Sequence, residues 1–137
     1  MADFDTKVAI VLRDDLQVWQ KLNVCAFVMS GIVGASPEMI GDPYVDSEGN
    51  VHHQLSRQPI VILSADASTL SSIRRRALER DVPTAVYIDP MFQTNHDEAN
   101  RAVFAQYSPE TAVIAGIGVR AKRNLTDKIM KGARLHP

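Results

Sequence analysis

PIVILSADASTLSSIRRRALERDVPTAVYID, residues 59–89, contains two apolar runs separated by a segment of helical period. PIVILSA (59–65) and TAVYID (84–89) are short, β-branched and apolar on consecutive positions, as strands covered on both faces are. Between them ASTLSSIRRRALERD (67–81) places Leu70, Ile73, Ala77 and Leu78 on one helical face and its arginines elsewhere. Asp66 or Ser68 can cap the start of that helix, and Val82-Pro83 ends it. A strand, a crossover helix and a second strand predict an α/β layered sheet, because each crossover lays a helix on a sheet face.

The flanking sequence repeats the pattern. KVAIVLR (7–13) reads as a central strand, and after the polar turn DDLQ the segment WQKLNVCAFVMSGIVGAS (19–36) is apolar almost all round. Gly31 and Gly34 allow another backbone to approach this helix, from the sheet or from a second subunit, and Asn23 is its polar exception. Asp46, Ser47, Glu48, Gly49 and Asn50 form a turn signal between two short extended pieces, predicting a hairpin or ordered excursion within 37–58. AVIAGIGV (112–119) is a fourth strand, and a last helix from about Asn124 carries Leu125, Ile129 and Met130 inward. The expected architecture is one domain over residues 1–137: a three-layer α/β/α fold with a mixed sheet of about four strands and the Leu22–Ala35 helix central.

Composition agrees with one globular domain. The chain has 137 residues, 45% hydrophobic and 23% charged, which indicates neither a disordered nor a fibrous class. Its single cysteine, Cys25, leaves no internal disulfide framework and fits a reducing compartment, so cytoplasmic localisation is expected. MADFDTK is acidic and polar where an export signal needs a basic segment and an apolar run. Leu22–Ala35, interrupted by Asn23 and Ser30, is shorter than a bilayer span, and no membrane association is expected. Net charge is −1, yet Arg120, Lys122, Arg123, Lys128, Lys131 and Arg134 cluster near one end, and Arg74, Arg75, Arg76 and Arg80 on one helix. Such clusters collect phosphates in some proteins and are solvated helix faces in more.

Several motifs have a structural reading. The lone Gly-x-Gly at 116–118 lacks the third glycine and the first-strand position of a dinucleotide fingerprint, so close packing explains it better. His52 and His53, adjacent on a strand, point to opposite faces and cannot share an ion; no metal and no cofactor is expected. Cys25 lies in an apolar helix, where a thiol is inert. YIDPMFQTNHDEANRAVF (87–104) is the exception. Thr94 or Asn95 as N-cap, with Asp97 and Glu98 in the first turn, accounts for part of it, but leaves Asp89, His96 and Asn100 unexplained at the carboxyl end of a strand, where ligands gather in open α/β sheets.

The order of segments resembles the type 2 peptidyl-tRNA hydrolase fold over roughly two-thirds of the chain: a strand ending in Arg13-x-Asp15-Leu16, a helix led by Lys21, a strand ending in Asp89, and Gly116-x-Gly118 before a helix bearing Asp127-Lys128. The chain resembles more closely an uncharacterised bacterial family allied to that fold, which shares WQKLNV, PYVDSEGN and F-x-T-x-H-D-E-A-N. Aligning the hydrolase lysine with Lys21 puts Cys25 and Val28 where that family has glutamine and histidine, and the arginine after the strand-end aspartate is absent. The resemblance implies a pocket between the start of the first helix and the loop after Asp89. There Lys21, Asp89 and His96 are the candidate catalytic residues of a hydrolase on an acyl or aminoacyl ester, and Asn23, Thr94 and Asn100 the candidate substrate contacts. The alternative is a non-catalytic ligand-binding or regulatory module that keeps the fold without the chemistry. Expected partners are a small molecule or a tRNA-like anionic ligand, and a second copy of the chain in a homodimer.

Overall fold

The structure, a computed structural model, describes residues 4–137; of the opening MADFDTK stretch, residues 1–3 therefore lie outside the described residues. Seven strands and four α-helices follow one another: β1 (Thr6–Arg13), α1 (Val18–Ala35), β2 (Tyr44–Val45), β3 (Val51–His52), β4 (Ile60–Ala65), α2 (Ala67–Glu79), β5 (Ala85–Ile88), α3 (Asp97–Phe104), β6 (Ile114–Lys122), α4 (Arg123–Ile129) and β7 (Arg134–Leu135). Five strands form one mixed sheet in the order β5-β6-β1-β4-β7, and β2 and β3 make a separate hairpin. β1 runs parallel to β4 and antiparallel to β6; β6 is antiparallel to β5, and β4 to β7.

β1 is apolar on consecutive residues because helices cover both sides of it. Val8, Ile10 and Leu12 pack against Val24, Val28 and Ile32 of α1, while Ala9 and Val11 face Leu70, Ile73 and Ala77 of α2 and Ile129 of α4. Full burial of each large aliphatic side chain contributes roughly 1.5–3 kcal/mol before entropy is counted. The three layers are thus α1, the sheet, and α2 with α4.

The glycines of β6 set the distance between α1 and the sheet. A Cβ on Gly116 would lie 2.5 Å from Val24 Cγ1, and one on Gly118 would lie 2.4 Å from Val28 Cγ1 and 2.8 Å from Ile32 Cδ1. Close packing is therefore what the Gly-x-Gly does. Gly31 brings α1 against β5, its would-be Cβ 3.0 Å from Ala85 Cβ, whereas Gly34 faces open space. α1 is an 18-residue helix, long and apolar enough by length and composition to cross a bilayer, at the short end of that range. It lies along the sheet instead, buried through Val24, Val28 and Ile32.

Three expectations need correction. The main sheet has five strands rather than about four, because the exposed pair Arg134–Leu135 adds to the outer edge of β4. Asp89 does not extend β5 but opens a 3-10 turn, Asp89–Gln93, which Pro90 starts by fixing its own backbone angle. The helix after it, which the spacing of Ala99, Val103 and Phe104 in DEANRAVFAQY (97–107) predicts to reach Tyr107, stops at Phe104. The hairpin forms around the expected turn: Asp46 Oδ1 accepts from the backbone N–H of Glu48 and of Asn50 at 2.9 and 3.0 Å, and Gly49 takes φ +84°.

Candidate functional site

β5 ends the sheet on one side, and a groove of about 880 Å³ runs along it between α1 and α3. One wall is a single ridge of α1, in which Trp19, Asn23, Phe27 and Gly31 recur every four residues and so share a face. The opposite wall is the 3-10 turn and α3, with Met91, Phe92, Asn100 and Phe104. The floor is residues 84–87.

Aromatic rings hold the inner end together. Tyr87 stands 5.0 Å from Phe92 and 5.7 Å from Phe27, and Trp19 meets Phe92 edge-on at 5.9 Å. The Trp19 indole N–H donates to Gln17 Oε1 at 2.9 Å, which fixes the ring at the mouth. Burial pushes the Tyr87 phenol up, against the opposing effect of the neighbouring Asn23 side chain, so the ring stays protonated at neutral pH and offers an O–H. Arg74 of α2 lies over the outer ring, 5.6 Å from the centre of Phe104.

Polar groups enter from the loop before α3. The Thr94 hydroxyl donates to the Met91 carbonyl at 2.9 Å and also meets Asn100 Oδ1. A hydroxyl carries one proton, so Thr94 serves one of these two acceptors at a time. His96, and neither Thr94 nor Asn95, is the N-cap of α3: its Nδ1 accepts the Ala99 N–H at 3.1 Å. Nδ1 is then occupied as an acceptor, which puts the ring proton on Nε2. Asp97 and Arg101, one helical turn apart, pair at 2.7 Å.

Of the six candidate residues, Asn23, Thr94, His96 and Asn100 line this groove; Lys21 and Asp89 do not. Asp89 is held by Arg13, whose Nη1 and Nη2 donate to its two carboxylate oxygens at 2.7 and 3.0 Å. Arg13 also donates from Nε to Asp15 at 2.5 Å and from Nη1 to the Ile114 carbonyl at 2.9 Å. Burial works to lower the Arg13 pKa, but the bonds to Asp89 and Asp15 outweigh it and raise it. The residues that spacing did not single out are Trp19, Phe27, Tyr87 and Phe92. The available signal was the four-residue repeat around Asn23.

The basic clusters are dispersed. Arg76 Nη1 donates to the carbonyls of Ile129 and Lys131 at 3.0 and 2.7 Å, Arg123 Nε to that of Phe4 at 2.6 Å, and Arg120 pairs with Glu38 at 3.2 Å. His52 is bound to Asp46 at 3.1 Å. Cys25 is half-buried, and burial pushes its thiol up.

The sequence profile of a family described as a protein of unknown function (DUF2000) matches residues 6–137. The chain belongs to the DUF2000 family. Its fold is similar to the solved structure of a protein of unknown function from Agrobacterium tumefaciens strain C58, with a TM-score of 0.97 and 56% identity over 98% of this chain and 100% of that one. No curated protein matches the chain. DUF2000 membership thus agrees with the resemblance to an uncharacterised family and brings no activity with it.

Proposed function

We propose that this DUF2000 chain is a ligand-binding module whose site is the groove between α1 and α3. The observation that carries this reading is the convergence of Asn23, Thr94, His96 and Asn100, distant in sequence, on one aromatic-walled cleft of about 880 Å³. A concave apolar site with a few directed polar groups is the usual form of a ligand pocket. Binding is favoured over hydrolysis because Asp89 already spends both oxygens on Arg13, Lys21 is not in the lining, and the His96 Nδ1 lone pair is taken by a backbone N–H. Kinship with the type 2 peptidyl-tRNA hydrolase fold rests on the order of Arg13-x-Asp15-Leu16, Asp89 and Gly116-x-Gly118 along the chain.

A thermal-shift screen tests the reading, since a ligand that binds only the folded state raises Tm by mass action. Hits are expected to alter Trp19 emission, the chain holding a single tryptophan and that one at the groove mouth. Hits that leave Trp19 unaffected and survive Asn23→Ala would place the site elsewhere. Turnover of acyl esters abolished by Asp89→Asn and by His96→Ala would restore the hydrolase reading.

The homodimer reading has its own support. Val18, Trp19, Leu22 and Phe27 of α1 leave between 50% and 74% of their surface exposed, an apolar face of the kind subunit contacts cover. A tRNA-like ligand has less support, because Arg76, Arg120 and Arg123 are bonded within the chain. The cytoplasm remains the compartment we assign, on the lone thiol.

A further inference from the structure

Among the described residues β5 is the last strand of the sheet, with a neighbour only on its β6 side. Along an antiparallel strand, the N–H and C=O of one residue point to the same side, and successive residues alternate. The Asp89 N–H donates to the Val113 carbonyl on the β6 side at 2.9 Å, and the Ile88 N–H turns the other way, to Met91 Sδ at 3.4 Å. The pairing shifts register between Tyr87, opposite Gly116, and Ile88, opposite Ile114; the extra residue lies on β6, so β5 keeps its own alternation, Ala85 and Tyr87 bond to β6, and Val86 directs its N–H and C=O away from the sheet. Val86 lies in the groove floor, and no backbone partner meets it there among the described residues. α3 packs chiefly on the 3-10 turn and leaves this edge open.

An unpaired donor and acceptor flanking one Cα are matched by the same two groups of another extended residue, which exchanges both bonds with it. The adjacent N–H and C=O of a planar ring are closer together than that spacing. Residues next to the paired one would turn their side chains to the α1 face, where Tyr87, Phe27 and Phe92 stand. Charge narrows the ligand further: Asp97 and Arg101 are the only Asp, Glu, Lys or Arg in the lining, and they neutralise each other. No unpaired charge in that lining, as the described residues form it, complements a free amino or carboxyl terminus, Arg74 lying behind the Phe104 ring and outside the lining.

We propose that the groove takes an internal, uncharged stretch of extended polypeptide, which adds as a strand to the open edge of β5 at Val86. This rests on the ligand-binding reading and names the ligand class. The probe is a capped pentapeptide of alternating valine and threonine around a central phenylalanine, titrated against the full chain with Trp19 emission as readout. Saturable binding is expected, with free-terminus versions no tighter. N-methylation at each peptide position in turn should weaken binding about tenfold or more at the one position that donates to the Val86 carbonyl and little at its neighbours, the signature of a single residue exchanging both bonds with the strand edge. Val86→Pro removes the outward N–H on the side that β6 does not use, where proline is tolerated. It should cost a similar factor in affinity. The methylation scan decides the matter if Val86→Pro fails to fold. Equal sensitivity at every position, or none, overturns the strand assignment. Riboflavin or guanosine moving Trp19 where no peptide does overturns the peptide class and keeps the groove, while silence from all three overturns both. A dimer that Val86→Pro dissociates, with no peptide response, would assign the edge to a second copy and equally overturn the proposal.

Discussion

His96 shows how one side chain can look like chemistry and be architecture. Its Nδ1 does for α3 what a serine or aspartate does at other helix starts. Asparagine is among the best residues in that role and cannot carry a proton at neutral pH, so two substitutions separate the two readings. His96→Ala is expected to destabilise the chain by about 1 kcal/mol, and His96→Asn to restore both stability and ligand affinity, as read by thermal melts and Trp19 titration. Activity lost in both variants would mean that the ring does more than cap. Asp89 is the second such residue. Asp89→Asn leaves Arg13 with Asp15 and the Ile114 carbonyl, and the expected loss is about 2 kcal/mol by denaturant unfolding, below the roughly 3–5 of a fully buried pair because the Asp89 side chain keeps 37% of its surface in solvent. Sequence spacing found Asp89 and His96 as residues without a local explanation. It could not supply one, because the Arg13 partner lies 76 positions away from Asp89 and histidine is seldom read as a helix cap.

Among the elements, strands and helices that bury a face were legible, and those that do not were hidden. β1 and β6 announce themselves as apolar runs because both their faces are covered, and β4 and β5 as shorter, partly buried apolar runs, whereas β7 is two exposed residues with no period to detect. The aromatic groove was hidden for another reason: Trp19 and Phe92 are neighbours only once α1 has docked on the sheet. That docking is tested at Gly118. Gly118→Ala forces a methyl group against Val28 and Ile32, and overpacking of this kind costs about 1–3 kcal/mol, so a Tm several degrees lower is expected together with a change in Trp19 emission. The β2-β3 hairpin makes a pH prediction. Hydrogen bonds from His52 and Asn50 hold the Asp46 carboxyl at about 2, below its ordinary 3.8. A carboxylate depressed on folding contributes above its ordinary pKa and loses that contribution as pH falls through the folded value. The Asn50 and Val51 amide resonances should therefore titrate with a midpoint near the folded value of about 2, with the sheet still folded by circular dichroism. A hairpin that titrates at ordinary aspartate pH would contradict the turn geometry.

On the scale of the whole molecule, the chain buries one side of α1 and leaves the other apolar and open. If a second copy covers that side, sedimentation should give a dimer, and Leu22→Glu, at a position 67% exposed, should yield a folded monomer with little change in far-UV circular dichroism. A monomer at every concentration would remove the homodimer. The layered architecture was readable because crossover helices and buried strands have periods of their own, while the number of sheet strands and the identity of the groove depended on which edges remained uncovered. The two glycines of β6 carry a last consequence. Val24 and Val28 sit over Gly116 and Gly118 like teeth in two notches, so α1 has one axial setting on the sheet. Trp19, Asn23 and Phe27 belong to the same helix, and that setting fixes their height above Val86. Filling either notch would act as a shim, altering the width and selectivity of the groove from a residue that never touches what it holds.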